Sequence, residues 1–221
     1  MEPVAIQIQR KGLILDQSQI DKLRAQFRDE HWTRLTQLLE PSILDFLQAR
    51  LDNTRWESMS HGKIGEEYIT NDLATTSLLH FVMNRPRFRA VIEEITGCKG
   101  IQWFRGRVYR MVAEAGHHDR WHSDIAYSNE IGMSVNLSRN VFRGGLFMLR
   151  DGNSKRVLAT VANTGPGDAL IFRISPDLNH RISDLEGTEP KTAFAGWFKS
   201  SPPECFRDSG VQIASVSQLS D

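Results

Sequence analysis

A chain of 221 residues is long enough for one substantial domain with a sizeable buried core. Its 27 Lys and Arg balance 27 Asp and Glu, so no bulk field favours a polyanion and nucleic acid is not expected as a partner. The N-terminus is neither a basic-then-apolar signal nor an Arg-rich transit segment, and no apolar run approaches the roughly 18 residues needed to span a bilayer; with only Cys98 and Cys205 there is no disulfide framework, and a cytoplasmic protein is expected.

In chain order, the first hundred residues read mainly as helix. Ile20, Leu23 and Phe27 recur at helical spacing, and Ile43, Leu47 and Leu51, each four residues apart, stack on one face of a second helix that Pro41 and Ser42 suit as a start. A third apolar stretch from Ala74 to Thr96 is broken into two helices by Pro86 and ended by Gly97. Between the second and third, the polar segment from Trp56 to Tyr68 reads as a turn-rich loop and a candidate lid. Plain core packing accounts for the apolar stripes.

From Ile101 the period changes to two. Arg107, Tyr109 and Met111 alternate with Val108, Arg110 and Val112, and Met133, Val135 and Leu137 alternate with Ser134, Asn136 and Ser138. Further strands are expected at 146–149, 157–162, 169–174, 180–183 and 192–198, separated by glycine-containing turns with no helices between them. The expected fold is α+β: a sandwich or barrel core over 101–198, a helical part over 1–100 packed on it, and a tail over 199–221, all in a single domain over 1–221.

His122, Ser123 and Asp124 follow the first long strand. In extended backbone, residues two apart share a face, so His122 and Asp124 can reach one ion while Ser123 points away. His180 can join them from a distant strand. Two imidazoles and one carboxylate on one side of a metal leave the other side open, the ligand set of non-haem Fe(II) sites that activate dioxygen. His117 and His118 offer alternative ligands, and a helical 118/122 pair would suit zinc, but Gly116 and the flanking strands favour a loop there. Lys191 begins a strand whose same-face residues are Ala193, Ala195 and Trp197; the two alanines leave room inside a barrel for a small anion that Lys191 can hold. Trp197 itself reads as core.

These residues carry a resemblance. The stretch from Arg107 to Phe198 resembles the Fe(II)/2-oxoglutarate-dependent dioxygenases, in particular their prolyl-hydroxylase-like branch. It rests on Gly116 ahead of the first ligand, the His122-Ser123-Asp124 triplet, the strand at 134–137, Gly144 with Gly145, the strand at 165–172, His180 to Ile182, then Lys191 with Trp197 and Phe198. The resemblance implies a double-stranded β-helix (a cupin-like jelly roll). It further implies iron held by His122, Asp124 and His180, 2-oxoglutarate chelating the metal with its C5 carboxylate on Lys191, and O2 as oxidant with ascorbate as a reductant. The implied reaction is hydroxylation of an amino acid, a peptidyl residue or a small metabolite, with release of succinate and CO2.

Two departures accompany it. A tyrosine common before the His-x-Asp falls on Ala113 when counted back without gaps, and a second falls on Asn136; Asn136 and Ser134 are therefore candidates for the missing cosubstrate hydrogen bonds. Trp121, Tyr127 and Arg173 are candidates to line a substrate pocket. Other open functions are a cupin-like metalloprotein holding Zn(II), Mn(II) or Ni(II) for hydrolysis or isomerisation, and an inactive binding module on the same fold.

Overall fold

The structure, a computed structural model, describes residues 4–125 and 128–200. Tyr127, Cys205 and the tail beyond Ser200 lie outside the described residues. An N-terminal hairpin of β1 (Ile6–Gln9) and β2 (Gly12–Leu15) leads into α1 (Gln17–Glu30), followed by β3 (Trp32–Leu35), α2 (Pro41–Asp52), the hairpin β4 (Trp56–Ser60) and β5 (Gly65–Thr70), α3 (Leu73–Met83) and α4 (Pro86–Thr96). After these come β6 (Trp103–Met111), β7 (His118–Asp119), β8 (Asn129–Asn136), β9 (Arg143–Gly144), β10 (Phe147–Asp151) and β11 (Val157–Val161). The chain continues through β12 (Ala169–Arg173), β13 (Leu178–Ile182), β14 (Leu185–Glu186) and β15 (Lys191–Lys199).

The helices form where the apolar spacing places them, and their ends have local causes. Asp16 caps α1 by accepting from the backbone N–H of Ser18 and Gln19 at 3.0 and 3.3 Å, while Pro86 opens α4 and Gly97, at φ 71°, closes it in the left-handed conformation. Ile20 and Phe27 of α1 are fully buried.

The first hundred residues hold more strand than their sequence announces. β3 pairs with β12 at one edge of the large sheet, and the β4–β5 hairpin extends the other edge, so the segment read as a loop is part of the sheet. The large antiparallel sheet runs β3-β12-β8-β15-β6-β5-β4, with β7 also on β5, and a smaller sheet runs β11-β10-β13. Together they make the expected jelly roll, with four helices against the outer face of the large sheet.

Alternation along β15 shows how one strand serves both faces. Phe194 and Phe198 are fully buried with Phe88 and Phe104 in the core under the helices. Burial of each such ring contributes roughly 1.5–3 kcal/mol. Lys191, Ala193, Ala195 and Trp197 point the other way, into the space between the sheets.

Candidate functional site

His122 and His180 form an antiparallel bridge in which each backbone N–H donates to the other's carbonyl, at 3.1 and 2.9 Å. This pairing closes the segment after β7 onto β13 and brings two residues 58 positions apart side by side, with ring centroids 4.4 Å apart. Asp124, two residues on, returns to the same side. One ligand atom from each of His122, Asp124 and His180 lies within 4.8 Å of the others, and among the described residues this is the group of three or more that can hold a metal ion.

Around this group, neighbouring side chains set its orientation. His122 Nδ1 lies 2.7 Å from the Arg120 carbonyl and 3.3 Å from Asp119 Oδ1, which leaves Nε2 facing Asp124 Oδ1 at 3.5 Å. Asp119 in turn accepts the Ile182 N–H at 2.7 Å and so ties β7 to β13 beside the histidines. His180 Nε2 lies 3.2 Å from Asp124 Oδ2, and Trp197 donates its indole N–H to the same oxygen at 2.6 Å.

Burial opposes ionisation of Asp124, but hydrogen bonds from His122, His180 and Trp197 hold its carboxyl well below the usual carboxylate range. Burial likewise disfavours a charged His122, yet the Asp124 and Asp119 carboxylates outweigh it and raise the imidazole to about 9. The Asp124 carboxylate and the His122 imidazole thus hold each other in their charged forms, and a metal ion bound by the same atoms would displace the His122 proton. Two nitrogens and one oxygen facing open space fit a non-haem Fe(II) centre better than a structural zinc site, which closes four ligands around the ion.

The triad lies on the wall of a cavity of about 310 Å³ that Tyr109, Met111 and Ser134 also line. Tyr109 is buried, and burial raises its phenol above the usual range. The buried Ser134 hydroxyl has the Tyr109 phenol as its polar neighbour, and the two together suit a polar ligand in the cavity. Lys191 is buried behind the cavity wall and does not itself line the cavity; its cross-strand partner Met111 does, and Lys191 donates to the Gly145 carbonyl at 2.8 Å. Burial lowers the Lys191 ammonium to about 8 although Asp119 supports the charged form. A buried cation whose hydrogen bond goes to a neutral carbonyl fits an incoming carboxylate.

Several expectations change. Ala113 lies in a 3-10 turn (Ala113–Ala115) between β6 and β7 and does not line the cavity, whereas Tyr109, on β6, does. Asn136 does not face the cavity: its amide donates to the Gly165 carbonyl and accepts from the Ser138 N–H, fixing the loops around it. Trp197 lines the cavity instead of the core. Arg173 stacks over Phe27 under the helices and Trp121 lies under Arg150, so neither lines the cavity. His117 accepts the Val112 N–H and packs on Tyr68, whereas His118, expected in a loop, belongs to β7 and lines the cavity without joining the ligand group.

Two predictions arise from this packing. Trp197→Phe keeps the ring but removes the indole N–H from Asp124, so metal affinity should fall about 10-fold to 100-fold, with the melting temperature of the metal-free protein changing little; equilibrium dialysis against Fe(II) or Mn(II) measures it. Gly132 sits opposite both Trp197 and Phe172, and a Cβ there would stand 2.1 Å from the Phe172 ring, which packs on His180 at 4.6 Å. Gly132→Ala should therefore destabilise the fold by about 1–3 kcal/mol and weaken metal binding through a displaced His180, as thermal melts with and without metal would show.

No protein-family model matches the sequence, and no curated protein matches it by sequence. The fold, however, is shared with solved structures. An oxidoreductase of the 2OG-Fe(II) oxygenase family from Burkholderia pseudomallei is 16% identical, with 82% of this chain and 91% of that one covered at a TM-score of 0.62. A Pseudomonas putida prolyl-4-hydroxylase is 14% identical over 83% of this chain and 100% of its own, at a TM-score of 0.61. The epimerase SnoN, solved in complex with Fe3+, alpha ketoglutarate and nogalamycin RO, is 14% identical over 83% and 84%, at a TM-score of 0.55.

Proposed function

We propose that this protein is a non-haem Fe(II)- and 2-oxoglutarate-dependent dioxygenase that hydroxylates its substrate. The observation that carries this is the convergence of His122, Asp124 and His180 on an open cavity, on the fold that the 2OG-Fe(II) oxygenase and prolyl-4-hydroxylase structures share. When bound, Fe(II) with 2-oxoglutarate supplies the activation of dioxygen, one oxygen atom entering the substrate as the 2-oxo acid is converted to succinate and CO2.

The chain's own residues do the rest. His122 and His180 present Nε2, and Asp124 presents the carboxylate oxygen that Trp197 does not hold. Lys191 receives the distal carboxylate of 2-oxoglutarate once its ammonium turns from the Gly145 carbonyl, and Tyr109 and Ser134 supply hydroxyls along the way. Asn136 acts only by fixing the backbone at Gly165 and Ser138. Phe147 and Phe172 pack against His180, keep its ring in place and exclude water from that side. Because SnoN is an epimerase on the same fold, the fate of the substrate is measured separately from cosubstrate use.

The test is succinate formation. Protein loaded with Fe(II) and given 2-oxoglutarate, ascorbate and air should produce succinate faster than the metal-free control, even without added substrate, through slow uncoupled turnover. Succinate no faster than the control, under conditions where the metal is shown to be bound, would contradict the proposal.

A further inference from the structure

A second charged cluster lines the same cavity, separate from the His122, Asp124 and His180 group and from Lys191. Arg107, on β6, donates Nε–H to Glu67 Oε1 at 2.6 Å; His61 Nε2 lies 2.9 Å from that oxygen and 3.2 Å from Arg107 Nη2. Glu67 is buried on β5, and His61 follows β4, so the hairpin grips one edge of the guanidinium. The remaining N–H groups of Arg107 have no hydrogen-bond partner among the described residues, and its side chain is 38% exposed.

Arg107 stands on the same strand face as Tyr109, opposite Ala195, whose methyl group leaves the space before it open. It also lines an adjoining groove of about 490 Å³, which Arg105 and Lys199 flank and which reaches the metal group through Asp124 and Trp197. An arginine that served only to neutralise Glu67 would not need an open edge toward the ligand space. A guanidinium fixed on one edge and free on the other matches a carboxylate through two parallel hydrogen bonds.

The geometry points to Arg107, oriented by Glu67 and His61, as the anchor for a carboxylate of the substrate, which in a cavity of about 310 Å³ favours a small free carboxylic acid, amino acids included, over an internal peptidyl residue that lacks a side-chain carboxylate. This rests on the oxygenase function proposed above only in taking the cavity as the substrate site. Binding to metal-free protein in EDTA tests it without turnover. The probes are the twenty common L-amino acids, acetate, benzoate and the primary amides of any acid that binds, followed by saturation-transfer NMR. Arg107→Met combined with Glu67→Gln removes both charges without stranding a buried carboxylate, and Arg107→Lys keeps the charge but loses the fork.

At least one acid should bind the wild type, bind both variants at least tenfold more weakly, and bind at least tenfold more tightly than its amide. No acid binding to the wild type, equal binding to whichever variants fold, or equal binding of acid and amide would overturn the inference. The visible band formed anaerobically with Fe(II) and 2-oxoglutarate is recorded in parallel. A band without Arg107-dependent acid binding overturns this inference alone, and acid binding without a band overturns the oxygenase function alone.

Discussion

Asp124→Ala should abolish Fe(II)-dependent succinate formation, leaving no more than the metal-free control. Asp124 is the sole carboxylate in the ligand group, and it also holds both histidines and the Trp197 indole. On the proposed function, its loss removes one of the three proposed ligands and the hydrogen bonds that orient the other two. The metal-free variant should lose about 1–3 kcal/mol of stability, the scale of unsatisfied buried hydrogen-bonding groups. A second readout separates metal loss from misfolding. A metal that binds the native state raises its melting temperature in proportion to ln(1 + [L]/Kd), so Mn(II) or Fe(II) should stabilise the wild type and leave Asp124→Ala unchanged. A variant that kept both the metal-induced shift and turnover would mean that another group holds the ion.

Lys191→Met should act in opposite directions on cosubstrate binding and on stability. Loss of a charge-assisted hydrogen bond to the distal carboxylate is worth about 1.5–3 kcal/mol, which raises the 2-oxoglutarate concentration needed for half-maximal turnover by roughly 10-fold to 150-fold. Tyr109→Phe should raise it less. Meanwhile the fold no longer buries an ammonium whose pKa falls from 10.5 to about 8. Between those values the unfolded chain binds more protons than the folded one, so wild-type stability should rise as pH increases from about 8 to 10.5. Below pH 8 the full penalty is present, up to about 3 kcal/mol, partly offset by the bond to Gly145. Lys191→Met should therefore melt higher than wild type at pH 7 and lack that alkaline rise. Denaturant unfolding at pH 7 and pH 10 measures both; an unchanged cosubstrate requirement would move the anchor away from Lys191.

The parts of the fold legible in the sequence are those with a clear period. β6, β8 and β15 carry a two-residue period because one face meets the helices and the other the space between the sheets, and Pro86 and Gly97 mark helix ends through backbone geometry alone. β3 and β4 were hidden for physical reasons. β3 is four residues long between two helices, and β4 is mostly exposed with no apolar side, so only their pairing partners make them strands. The grouping of His122 with Asp124 was legible because a two-residue spacing in extended chain fixes a shared face. The place of Tyr109 on the cavity wall was not, because the gapless count pointed to Ala113, in the turn at 113–115; its position in the Arg107, Tyr109, Met111 alternation was the available signal. For Trp197, membership of the Ala193 and Ala195 face already pointed to the cavity, while its size pointed to the core. Asp119, three residues before His122, carried no signal until β7 and β13 came together.

Anaerobic titration of the metal-free protein with Fe(II) and then 2-oxoglutarate tests the site most directly, because it needs neither oxygen nor the substrate. A weak visible charge-transfer band should appear only when both are present, saturate at one equivalent of iron, and be absent in Asp124→Ala. No band in wild-type protein that has bound one equivalent of Fe(II), or the same band in Asp124→Ala, would contradict the assignment of His122, Asp124 and His180 as an iron centre that takes 2-oxoglutarate.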